Sequence, residues 1–269
     1  MKFFYLFILL FFIWNCSFDD KSGIWKNENI SQNSDNNVFK EFRKLSLAND
    51  QFNKIVKIKN DYIFNLPKKI VSKNWTEELY NKSNYIPNLE YNNLNKLTFK
   101  TNKISKYRVR DFILSQNNLI FFSDLKGNLI IFSLEEDKIV QKFNFYKKKY
   151  KEIRKVLNFI VEKNIIYVAD NLGYLYALNY ETNKIEWAKN YKTPFRSNLK
   201  IIENKLVTST ENNNLYFFDK MNGNIFKLIP TEESIIQNEF VNNLSSNNKF
   251  TYFLNSYGSL YAIDNKSMV

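Results

Sequence analysis

Cys16 is the only cysteine among the 269 residues, and histidine is absent. These two facts remove most of the nucleophilic and metal chemistry open to a chain of this length. A His general base, a Ser-His-Asp arrangement and His ligation of a metal are impossible. A lone cysteine cannot form an intramolecular disulfide, a CxxC redox pair or a thiolate zinc site. Hydrolysis would have to rest on carboxylates, and no Asp/Glu pair stands out as an acid and base flanking a cleft. No catalytic residue, metal ligand or cofactor-binding residue is assigned from the sequence. Only Cys16 has a position that points to chemistry, covalent modification of its thiol.

That position is directly after an apolar run from Phe3 to Trp14, with Lys2 before it. Such a run rises roughly 18 Å as a helix, short of the ~30 Å hydrocarbon core of a bilayer. It therefore fits the apolar part of a signal peptide better than a permanent span. It is apolar on every face, so it lacks the one-sided pattern of a helix packed on a core. With Ile13 three residues before the cysteine, the N-terminus resembles a bacterial lipoprotein signal, although Trp14 and Asn15 stand where small residues are usual. The resemblance implies a signal peptide over 1–15, cleavage before Cys16 and lipidation of Cys16. Two acyl chains, at about 0.8 kcal/mol per buried methylene, make a stable anchor. Ser17 rather than Asp after the cysteine implies, by resemblance to sorting in Gram-negative bacteria, a lipid-anchored protein on the periplasmic face of the outer membrane. Residues 16–47 are otherwise polar and lack sustained alternation; they read as a lipidated Cys and flexible tether, with a short helix around 38–45.

The rest of the chain must build whatever this anchor carries. Hydrophobic residues make up 44% and aromatic residues 17%, enough for a sizeable core. There are only five Gly and four Pro, and Asn takes over turn positions, because it tolerates the left-handed conformation better than most residues. The 39 basic and 27 acidic residues leave a net charge of +12. That excess could mark a nucleic-acid or anionic-membrane partner. The lysines are scattered, however, and no aromatic-basic RNA-binding signature is present, so no nucleic-acid partner is expected. The one dense run, "YKKKYKEIRK" (146–155), reads as a solvated loop open to acidic partners.

Four segments, at 118–143, 164–191, 204–228 and 249–269, align with one another. Their turn residues are Gly127, Gly173, Asn213 and Gly258, in steps of 46, 40 and 45. A period in the forties matches a four-stranded propeller blade. Each copy has an apolar strand ending in a polar residue, a tight turn, and a second strand with large residues on both faces. A polar turn and a third strand follow. Between copies lie further apolar stretches at 156–162 and 198–203, which supply the fourth strand. Strand-like runs at 52–67 and 71–80 suggest an earlier, degraded blade in which Trp75 takes the place of Trp187. The fold class expected is thus all-β, a propeller of four-stranded antiparallel blades over 48–269, with clear repeats from about 100.

The stretch "DNLGYLYALNYETNKIEW" (170–187) resembles the repeat of pyrroloquinoline-quinone-type β-propellers. Asp170, Gly173, Tyr176 and Trp187 fall on its pattern, as do Gly258 and Tyr261 in the fourth copy and Gly223 in the third. All seven read as structural repeat positions. A lipoprotein signal joined to such repeats is similar to the propeller lipoproteins of the outer-membrane β-barrel assembly machinery. That resemblance implies a non-enzymatic scaffold without cofactor that docks on the periplasmic domains of the central barrel-assembly protein and assists insertion of outer-membrane proteins. It also implies eight blades, more than four clear copies supply, so an incomplete or C-terminally truncated propeller is expected. The alternatives are a propeller lipoprotein that binds a sugar or peptide and, less favoured, a fragment of a quinoprotein dehydrogenase, whose usual vicinal cysteine pair is impossible here.

Overall fold

The computed structural model describes residues 17–19, 24–26, 65–72, 74–91, 97, 100–146, 150–232 and 241–269. The signal segment, Cys16, the helix expected around 38–45 and the run 52–64 lie outside the described residues. The chain divides into two compact units, Met1–Phe64 and Asn65–Val269. In the first, β1 (Ser17–Asp19) and β2 (Ile24–Lys26) pair antiparallel, within the stretch read as a tether.

The second unit contains β3 to β17 in four antiparallel meanders. The first is β3 (Leu114–Gln116), β4 (Leu119–Ser123), β5 (Asn128–Ser133) and β6 (Lys138–Asn144). The second is β7 (Leu157–Glu162), β8 (Ile165–Asp170), β9 (Tyr174–Asn179) and β10 (Lys184–Asn190). The third is β11 (Lys200–Ile202), β12 (Lys205–Ser209), β13 (Leu215–Asp219) and β14 (Ile225–Ile229). The fourth has three strands, β15 (Asn243–Ser246), β16 (Phe250–Leu254) and β17 (Leu260–Asp264). Strand order follows chain order in every sheet, which is the connectivity of propeller blades. The apolar stretches between the sequence copies are the first strands, β7 and β11.

Local residues explain this regularity. Asn117 and Asn118 join β3 to β4, both at positive φ, the requirement of the tight hairpin turn whose twist matches the strands. The turn into each outer strand has a positive-φ residue at Asp137, Asn183 and Gly223, repeating the steps of 46 and 40. Each outer strand has a register shift near its start, a bulge that increases local twist.

Packing then stacks the sheets face to face. Leu114, Phe121, Leu129 and Ile131 of the first blade meet Phe159, Ile166, Val168 and Leu178 of the second. The opposite face of the second, with Tyr167, Ala169, Leu175 and Ala177, meets Leu206 and Phe218 of the third. Val207, Leu215 and Phe217 of the third meet Leu244, Phe253 and Ile263 of the fourth. Each large side chain buried in this way is worth about 1.5–3 kcal/mol. The described residues thus form four stacked blades of a β-propeller fold.

Residues 65–112 depart from the expectation of a degraded blade. Their described part forms only isolated bridges, such as Ile70 to Leu89 and Val109 to Asp124. Trp75 does not stand where Trp187 stands in its blade; it bridges Ser115 on β3. The reason lies in the inner strands, whose backbone edges face the axis and are satisfied there by this segment.

Candidate functional site

The segment Trp75–Asn84 touches the first strand of every blade. Trp75 and Ser115 exchange two main-chain hydrogen bonds of 2.7 Å, and Val161 N donates to Thr76 O at 3.0 Å. Lys200 Nζ donates to Glu77 Oε2 at 2.8 Å and to Asn81 O at 3.0 Å. Ser246 N donates to Lys82 O at 2.7 Å, and Asn84 Nδ2 to Leu244 O at 2.9 Å. Edge groups that would otherwise lack partners are thus satisfied by the chain itself. Local turns shape the segment: Tyr80 and Asn84 have positive φ, and Asn81 Oδ1 accepts from the backbones of Ser83 and Tyr85. Lys200 is 1% exposed and Glu77 is largely buried. Burial pushes the Glu77 carboxyl up, and Lys200 opposes that shift. A buried ion pair contributes little net stability, but removing one partner strands the other.

The repeat residues are placed as follows. Asp170 is fully buried; its Oδ1 accepts from the backbones of Leu172 (2.9 Å) and Tyr174 (2.8 Å), and its Oδ2 from the Tyr146 hydroxyl (2.7 Å). Burial raises its pKa, and the Tyr146 and backbone donors counter the rise. A carboxylate so committed holds a turn and is not free to shuttle protons. Asp124 has the same role one repeat earlier, accepting from Lys126 N and Asn128 N, and Asn255 has it in the fourth blade, accepting from Tyr257 N and Ser259 N. Gly173, Gly223 and Gly258 all have positive φ. Tyr176 is buried against Phe145, at 4.4 Å between ring centroids. Tyr261 packs beside Phe253. Trp187 and Gly223, from different repeats, come together: the indole N–H donates to Lys220 O at 3.1 Å, and a Cβ on Gly223 would stand 2.6 Å from the indole ring. Gly258 and Tyr261 lie apart from them on the fourth blade.

Two depressions lie where the first blade meets residues 78–112 and the connection from β6 to β7. One, of about 330 Å³, is lined by Tyr107, Lys126, Asn128, Tyr146, Lys151 and Lys155. The other, of about 460 Å³, gathers Arg108, Arg110 and Arg154 with Glu78 and Asp111. Arg110 is held by Leu157 O and Asn158 Oδ1 and lies over the Phe112 ring; burial lowers its pKa. Sequence reasoning missed Glu77, Lys200, Lys126 and Lys155 as a group. The run at 146–155 hinted at a basic surface, but not that Lys155 would be buried. Among the described residues, no three of His, Cys, Asp and Glu gather as metal ligands, and no helix is long and apolar enough to cross a membrane.

No protein-family description and no curated protein matches the sequence. Among solved structures, the computationally designed Ika4 protein aligns over 64% of this chain and 99% of its own, with 8% identity and a TM-score of 0.51. The likeness concerns the fold alone. The computationally designed Ika8 protein and BamB from Moraxella catarrhalis align with TM-scores of 0.46 and identities of 8% and 14%. Those alignments cover 56% and 60% of this chain, and 44% and 48% of the other two.

Proposed function

We infer that this chain is a non-enzymatic scaffold, lipid-anchored through Cys16 on the periplasmic face of the outer membrane, that assists insertion of β-barrel proteins. One observation supports the scaffold reading: the first strands of all four blades are hydrogen-bonded to Trp75–Asn84 of the same chain, which leaves those edges less open to a ligand. What remains for recognition is the outer surface of blades and loops. The membrane location and the partner rest on the sequence: the lone Cys16 after its apolar run, and the propeller repeats that follow it. A shared membrane raises the local concentration of a partner, so a modest interface suffices.

The test is a pull-down from solubilised membranes with the tagged full chain and a Cys16→Ala control. Recovery of the central barrel-assembly protein, weakened in the control, is the expected outcome. A chain that stays in the membrane fraction without that partner would overturn the assembly role. A chain equally membrane-bound with and without Cys16 would overturn the anchor.

A further inference from the structure

The depression lined by Lys126, Lys151 and Lys155 is a cation-rich cavity that the scaffold reading does not use. Lys155 is 1% exposed. Its ammonium donates to Tyr150 O and lies 5.3 Å from the centre of the Tyr146 ring. Lys126 Nζ donates to Lys151 O at 3.1 Å and lies 5.7 Å from the centre of the Tyr107 ring. Backbone carbonyls and aromatic rings surround these two ammoniums, and no carboxylate is among the described residues that line the cavity. The nearest turn acid, Asp124, is committed: Oδ1 accepts from Lys126 N and Asn128 N, and Oδ2 from Ser105 Oγ at 2.8 Å and Asn128 Nδ2 at 2.7 Å. Among the described residues, the acid that acts on Lys155 is Glu152, and it is exposed. Burial, and then the charge of Lys126, hold the Lys155 ammonium below its ordinary pKa.

The backbone is fitted to this arrangement. Gly127 has φ +81, and a Cβ there would stand 2.2 Å from the Tyr146 ring and 3.1 Å from the Lys155 side chain. At the corresponding turn of the next blade, the atoms nearest to a Cβ on Gly173 would be backbone atoms of Thr193 and Lys192, and not a lysine side chain. The repeat therefore accounts for the turn, and not for the lysines placed over it.

We propose that this cavity binds a small, multiply charged oxyanion of the phosphate class, held by Lys126, Lys151 and Lys155 between the Tyr107 and Tyr146 rings. Its volume of about 330 Å³ lies in the range of small-molecule sites. Charge-assisted hydrogen bonds from two or three ammoniums are the strong kind available to such a ligand. The inference goes beyond the scaffold reading and stands or falls independently of it.

The experiment titrates the purified full chain with inorganic pyrophosphate at constant ionic strength and measures the dissociation constant by calorimetry. Saturable binding with one site is expected, weakened about tenfold or more in Lys126→Gln and in Lys151→Gln, since each loses one charged donor. Lys189→Gln, at an exposed position on β10, is expected to stay within about twofold of the parent, as befits a screened surface charge. Both cavity variants leave the buried Lys155 in place, and their melting curves verify folding. Absence of saturable binding up to about 10 mM overturns the proposal, since weaker binding is below the useful range. Equal weakening by Lys189→Gln also overturns it, in favour of diffuse attraction by net charge. Vesicles of phosphatidylglycerol serve as a second probe: binding to vesicles alone, lost in the cavity variants, would overturn the free small anion in favour of a lipid headgroup.

Discussion

Among the described residues, Tyr174–Asn179 of the second blade has strands on both edges and blades on both faces, whereas Leu260–Asp264 of the fourth has a neighbouring strand on one edge and a blade on one face. The two stretches share the Leu-Tyr-Ala motif at corresponding positions. Leu175 is fully buried, whereas Leu260 is 68% exposed. Ala177 is buried and Ala262 exposed. The motif thus encodes a strand able to be sandwiched, and the neighbour decides whether it is. The turn that follows does not depend on that neighbour. Met268 N donates to Asp264 O at 2.8 Å, as Gly223 N does to Asp219 O in the third blade, and Met268 adopts the same positive φ without being glycine.

The comparison breaks most sharply at the axis, where one segment serves all four blades. Lys200→Met leaves Glu77 buried without its partner and should cost about 3–5 kcal/mol. Chemical denaturation measures that loss, and hydrogen exchange should show the three-stranded fourth blade opening more than the second. A double variant, Lys200→Met with Glu77→Leu, should recover much of it; no recovery would mean that packing, and not the stranded charge, causes the loss.

Leu175→Ala should cost about 2–5 kcal/mol, the ordinary range for a leucine cavity in a packed core, while Leu260→Ala should stay within about 0.5 kcal/mol. If the two denaturation midpoints move together, the face around Leu260 is covered in solution.

Asp170→Asn should cost about 1–3 kcal/mol by disturbing a buried acceptor, and its effect should depend on pH. The folded-state pKa of Asp170 is raised by burial. Its proton-linked contribution is therefore fully present below the unfolded value and is lost as pH rises through the higher folded value. The stability difference between parent and variant should be larger near the unfolded pKa, about 3.9, than at neutral pH. A pH-independent difference would contradict the burial argument.

The smallest contrast concerns two glycines. Gly258→Ala meets open space and should cost only the left-handed penalty of about 1–2 kcal/mol. Gly223→Ala bears that penalty and also pushes on the Trp187 ring, so its melting temperature should fall further. Equal shifts would mean that Trp187 swings away freely.

Period, turn and strand pattern were legible because they are local. Gly127, Gly173, Asn213 and Gly258 recur at similar steps since each turn needs positive φ. Alternating apolar residues such as those of 174–178 report faces that will be buried. The second blade could be read almost strand by strand from its own residues. Trp75 could not, because "VSKNWTEELY" has the composition of a strand, and only the open backbone edges of four inner strands pull it to the axis. Lys155 illustrates the same limit. In a run of lysines it looks solvated, yet it is buried, with its ammonium against the Tyr146 ring and the Tyr150 carbonyl.

The sequence by itself determined a repeated all-β chain, its turn chemistry and the exclusion of His- and disulfide-based sites. These depend on residue type and on spacing within about 50 residues, the span of one repeat. The tertiary structure decided which segment pairs with the first strands, which lysines converge and which strands are sandwiched. Those outcomes come from pairing and burial between residues such as Glu77 and Lys200, whose separation in the chain carries no local signal.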